Sequence, residues 1–152
     1  MTIFEHYQAR YEAAREEEYS IAEFLEICKT DKSAYASAPE RLLMAIGEPH
    51  MVDTATDARL SRLFSNRVVA RYPNFTDFYG MEDAIEQIVS YLKHSAQGLE
   101  ERKQILYLLG PVGGGKSSLA EKLKHLMQQV PIYYIKGSPV CDHPLSLFDA
   151  NE

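Results

Sequence analysis

"GPVGGGKSS", residues 110–118, stands between the apolar run "ILYLL" and the helical stretch "LAEKLKHLMQQV". Gly110 to Ser117 fit the spacing G-x-x-x-x-G-K-[ST]. So short a pattern arises by chance in large sequence sets. Its weight here comes from the order of its neighbours, a strand-like run before it and an amphipathic helix after it. Gly110 lets the chain leave the strand in a tight turn. Gly113, Gly114 and Gly115 reach backbone angles closed to other residues, so that successive N–H groups can face one hollow. Oxygens of a β-phosphate are expected there, at the positive end of a helix starting near Lys116. Lys116 is placed to reach the β- and γ-phosphates, Ser117 to ligate Mg²⁺, and Ser118 to bond an α-phosphate oxygen. As a solvent-facing loop residue, Lys116 should be replaceable with little change in fold.

The flanks set the fold class. "QILYLLG" (104–110) is a near-continuous apolar run, the pattern of a parallel strand buried on both faces, and "PIYYIKG" (131–137) reads as a second. Leu119, Leu123, Leu126 and Met127 give the intervening helix one apolar side. Upstream, a helix is expected from about Glu82, with Ala84, Ile85, Ile88, Val89 and Leu92 on one face, until Gly98 ends it. Gly80 interrupts an aromatic patch of Phe75, Phe78 and Tyr79 just before it.

The first fifty residues read as helices. Phe4, Tyr7, Tyr11 and Ala14 form one apolar stripe. Ser20 and Glu23 form a capping box that opens a helix through Ile21, Phe24, Leu25 and Cys28. Arg41 to Ile46 lie on a third helix, stopped by Gly47 and Pro49. Between His50 and Pro73 the pattern loosens, and "RVVARYP" ends it in a short run with strand character. Arg59, Arg62, Arg67 and Arg71 form the chief basic cluster, expected mainly as partners for the many carboxylates, with a subunit or phosphate contact as the alternative. The fold class is therefore α/β: a helical amino-terminal region, 1–73, and the first part of a P-loop parallel-sheet domain, 74–152, cut after its second strand.

Composition narrows the partners. A 45% apolar content suffices for a packed core. The formal charge of −6 tilts against nucleic acid, whose binding leans on a positive surface. No run approaches the roughly 20 apolar residues that cross a bilayer, and the start lacks the layout of a secretory signal. Cys28 and Cys141 stand far apart without metal-ligand spacing, as expected of thiols in a reducing cytosol. A cytoplasmic protein that binds neither nucleic acid nor membrane is the expectation.

Binding a nucleotide is not hydrolysing it. Turnover also needs an acidic residue on another strand and a group to orient water. Asp142, Asp149 and Glu152 are acidic, yet none closes an apolar strand, so no catalytic residue is assigned. The "CDH" of residues 141–143 lacks the second cluster that a metal or nucleophile site requires.

"LLGPVGGGKSSLAEKLK", preceded by "FYGMEDAIEQIV", resembles the opening of an AAA+ ATPase module. In that superfamily a glycine in a short turn before the P-loop borders the adenine pocket, and Gly80, with Tyr79 and Met81, matches it. More narrowly, "RLLMAIGEP", "RLSRLFSNRV", "YGMEDAIEQIVSYLKHSAQGLEE", "GPVGGGKSSLAE" and "SPVCDHPLSLF" are similar to the amino-terminal part of the bacterial PrkA serine protein kinase family. The likeness implies ATP with Mg²⁺ as ligands, a protein substrate phosphorylated on serine, a homo-oligomeric assembly, and a link to stress and nutrient adaptation. It also implies that the second acidic motif, the arginine finger and a kinase-like region lie beyond Glu152. No kinase signature such as H-R-D or D-F-G stands in these residues. An ATP-driven remodelling or proteolytic machine is the alternative function, and a nucleotide-sensing docking module a further one.

Overall fold

The computed structural model describes residues 17–148. The apolar stripe of Phe4, Tyr7, Tyr11 and Ala14 lies outside them, as do Asp149 and Glu152. In chain order the described elements are α1 (Ile21–Thr30), α2 (Ala38–Ile46), β1 (His50–Asp53), α3 (Ala58–Phe64), β2 (Val68–Arg71), α4 (Glu82–Ala96) and α5 (Lys116–Gln128), with short 3-10 turns between several of them. The class is mixed α/β. The described chain divides into two compact units, one made of residues up to 35 together with those from 134 onward, the other of residues 36–133.

In the first unit the expected capping box opens α1. The Glu23 N–H donates to Ser20 Oγ, while the Ser20 N–H donates to the Glu23 carboxylate at 2.7 Å. Phe24 is buried and meets the His143 ring edge-on, with centroids 5.8 Å apart. His143 Nδ1 accepts from the Leu145 N–H at 3.2 Å, so the ring proton sits on Nε2 and is donated to the Ala34 carbonyl at 3.1 Å. His143 is therefore occupied as a packing and capping residue.

The second unit holds a core of Ile46, Ala70, Tyr72, Phe75, Ile85, Ile88, Val89, Leu92, Leu119 and Leu126. α2, α4 and α5 pack around it, with β2 against α4. α2 begins earlier than its apolar residues suggest, because Ser37 and Glu40 form a second capping box and Pro39 occupies the first turn. Gly47, at φ +78°, ends it. The Asn74 amide then bonds the freed carbonyls of Ala45 and Ile46, at 2.9 and 3.3 Å. β1 and β2 pair antiparallel, with Met51 opposite Ala70 and Val52 opposite Val69.

The two apolar runs expected as strands carry no regular secondary structure and no ladder among the described residues. In residues 105–109 one face turns toward the core through Leu108, while Ile105, Tyr107 and Leu109 are 91%, 79% and 84% exposed. Burial on both faces requires neighbouring strands and a covering layer on each side. One covered face and no ladder partner leave an irregular segment. Its near end is fixed by Tyr91, whose hydroxyl donates to the Gln104 carbonyl at 2.6 Å.

Candidate functional site

The glycine loop lies within the second unit, and its curl follows from local backbone chemistry. Gly113 and Gly115 have φ of +79° and +75°, whereas Gly114 between them does not. The Gly114 N–H closes a turn on the Pro111 carbonyl at 3.2 Å. Left-handed residues alternating with others along a chain aim their amides toward one side. α5 then begins at Lys116 with Gly115 as its N-cap, a residue with no side chain to cap the helix. Among the described residues, the N–H groups of Gly113, Gly115, Lys116, Ser117 and Ser118 have no assigned acceptor. These unpaired donors and the helix dipole make a hollow suited to an anion.

Lys116 is half-buried rather than solvent-facing. Its ammonium donates to the Gly110 carbonyl at 2.7 Å and to the Pro111 carbonyl. An ammonium has three N–H donors, so two brace the loop and one is left for a ligand. The partial burial of Lys116 has a plain cause. A lysine opening a helix at the end of a tight curl lies beside the carbonyls at the curl's other end. Ser117 and Ser118 are exposed on the first turn of α5, and no hydrogen bond engages either hydroxyl among the described residues.

The turn at 79–81 adjoins this loop. Gly80 has φ +76°, and Tyr79 is 81% exposed. Met81 is the N-cap of α4, and a Cβ built on Gly115 would stand 2.9 Å from its Sδ and 3.5 Å from its Cε. The N-caps of α4 and α5 are thus neighbours, the Met81 side chain lying beside Gly115. In the sequence Met81 stands out only as the neighbour of Gly80 in the turn that the AAA+ resemblance sets beside the adenine pocket. A contact between residues 34 positions apart leaves no trace in local spacing.

Glu82 reads in the sequence only as the start of a helix. It is 5% exposed, one of its oxygens has no partner, and the other lies 3.6 Å from Arg71 Nε. Beside it Asp83 receives Arg67 Nη2 at 2.9 Å. Two of the four clustered arginines thereby anchor the first turn of α4 to β2 and its entry, the carboxylate pairing expected of them. The described residues contain no group of three or more His, Cys, Asp or Glu able to hold a metal. No helix among them is long and apolar enough to cross a membrane.

A family model for the PrkA AAA domain matches residues 19–152. The chain belongs to the PrkA AAA domain family. Curated relatives agree with that PrkA assignment. "Serine/threonine kinase YeaG" of Escherichia coli strain K12 is 72% identical over 156 aligned residues, covering all of this chain and 24% of the relative. "ATP-dependent protease PrkA" of Bacillus subtilis strain 168 is 32% identical over 151 residues, covering 91% of this chain and 22% of the relative. This PrkA-family chain therefore spans about a quarter of the length of the curated relatives it matches. No solved structure matches it.

Proposed function

We propose that this chain is the ATP-binding AAA segment of a PrkA-like serine protein kinase, and that it holds ATP–Mg²⁺ on the loop from Gly110 to Ser118. One observation carries the reading. The unpaired amides of Gly113, Gly115, Lys116 and Ser117 share a loop with one ammonium that keeps a free donor. A β-phosphate fits that arrangement of charge and donors.

In this reading Lys116 Nζ turns its remaining N–H to the β- and γ-oxygens. Ser118 bonds an α-oxygen, and Tyr79 and Gly80 border the base. The Ser117 hydroxyl, free of other bonds among the described residues, is the side chain that would hold Mg²⁺. Such an ion would supply positive charge against the phosphate oxygens. A cytoplasmic setting, a protein substrate, a homo-oligomeric assembly and a role in stress adaptation belong to the same proposal.

A second reading has its own support. The Bacillus subtilis relative is named an ATP-dependent protease, which favours a machine that spends ATP on mechanical work against a protein client. Incubating a full-length relative with γ-labelled ATP and a protein substrate separates the two. Label fixed on serine supports the kinase. Client breakdown that needs ATP, with no label retained, replaces it by the protease. Nucleotide affinity without turnover of either kind leaves a sensing module.

A further inference from the structure

Met81 links the two halves of the candidate site. Its surroundings are fixed: its side chain packs against the core, its carbonyl accepts from the Ile85 N–H at 2.9 Å, and the next two residues, Glu82 and Asp83, pair with Arg71 and Arg67. From this fixed base the thioether reaches Gly115, the last left-handed residue of the loop. Gly115 is itself held by the Leu119 N–H, which donates to its carbonyl at 2.9 Å. The loop is therefore gripped from within by Lys116 on Gly110 and Pro111, and from outside by Met81 on Gly115. An unbranched, polarisable side chain suits this gap, since it can lie against a bare Cα without crowding its own helix start.

We propose that Met81 is a positioning residue for the phosphate loop: its thioether bears on Gly115 and keeps the loop's final turn aimed at an anion. The turn at 79–81 and the loop at 110–118 then act as one body, and polyphosphate affinity depends on the side-chain volume at position 81. The inference rests on the nucleotide-binding reading and assigns part of its affinity to a residue that need not touch the phosphate. A side chain serving the base alone would leave binding of a ligand without a base untouched. That difference is measurable.

Titration calorimetry on the whole chain, with inorganic pyrophosphate and with ADP, makes the test. Met81→Ala should weaken both ligands by about tenfold, the equivalent of 1.4 kcal/mol. Met81→Leu, which conserves volume, should return both to within about threefold of the parent. Where the alanine variant melts too low to titrate, Met81→Val shortens the side chain less and should show an intermediate loss of both. Unchanged affinity in the truncated variants overturns the proposal, as does loss of ADP binding with pyrophosphate binding intact. A thermal-melting cycle of Met81→Ala, Gly115→Ala and the double variant probes the contact without ligand. The double variant should lose less than the sum of the singles, and strict additivity overturns the contact. Should the parent bind neither ligand while the cycle still shows coupling, the nucleotide-binding reading fails, the proposed role fails with it, and the contact stands.

Discussion

Lys116 Nζ lies 2.7 Å from the carbonyl oxygen of Gly110, bridging the mouth of the glycine loop. The same ammonium that would meet a phosphate thus already shapes the backbone meant to cradle it. Lys116→Ala should weaken triphosphate binding by about 30-fold or more, from the roughly 2 kcal/mol of a hydrogen bond to a charged group. It should also raise exchange of the Gly114 amide, the loop N–H bonded to the Pro111 carbonyl, while leaving the helices protected. A fluorescent triphosphate analogue and hydrogen exchange check the two effects. Unchanged exchange in the loop would deny the bracing role.

The loop glycines are not equivalent. A Cβ on Gly113 meets nothing within 4 Å, whereas one on Gly115 runs into Met81 Sδ. Gly113→Ala therefore carries only the left-handed backbone penalty, and its melting temperature should fall by about 2–4 °C per kcal/mol of roughly 1–2 kcal/mol. Gly115→Ala adds a clash and should fall further. Calorimetric melting orders the pair, and equal losses would count against the contact.

Arg71 and Glu82 give an asymmetric prediction. The Glu82 side chain is 6% exposed and that of Arg71 33%. Removing the arginine strands a buried carboxylate, while neutralising the glutamate leaves a cation that still reaches water. Arg71→Ala should cost up to about 3 kcal/mol, and Glu82→Gln about 1 kcal/mol. Urea unfolding of both variants tests the order.

Two carboxyls tie stability to pH. Hydrogen bonds from the Ser20 side chain and backbone hold Glu23 below the ordinary glutamate range, and Ser37 does the same for Glu40. A carboxyl whose folded value is depressed stabilises the fold above its unfolded value, and that stability is lost as pH falls through the folded value. Melting temperature should therefore decline as pH drops below about 4.3. Ser37→Ala should make the decline shallower, which a pH series of melts would show.

Much of this was legible in the sequence where the cause is local. Ser20 with Glu23 marked the start of α1, Gly47 the end of α2, and the spacing of Ile85, Ile88, Val89 and Leu92 the buried face of α4. Ser37 with Glu40 carries the same signal as the first box, but the weakly apolar turn behind it hid the start of α2. β1 is four residues long with one half-buried side chain, too short for alternation to show. The run at 105–109 has the composition of a strand, but a strand also needs a partner, and composition cannot supply one. At the candidate site, the glycines, Lys116 and the serines are all readable from spacing. The grip of Met81 on Gly115 and the burial of Glu82 arise from tertiary packing, which no local pattern encodes.

The most direct test of the phosphate hollow is amide NMR on the isotopically labelled chain during titration with ADP–Mg²⁺. The amides of Gly113, Gly115, Lys116 and Ser117 should move together, saturably, and far more than those of β1 or α3. Shifts in those four no larger than elsewhere at millimolar nucleotide would contradict the account.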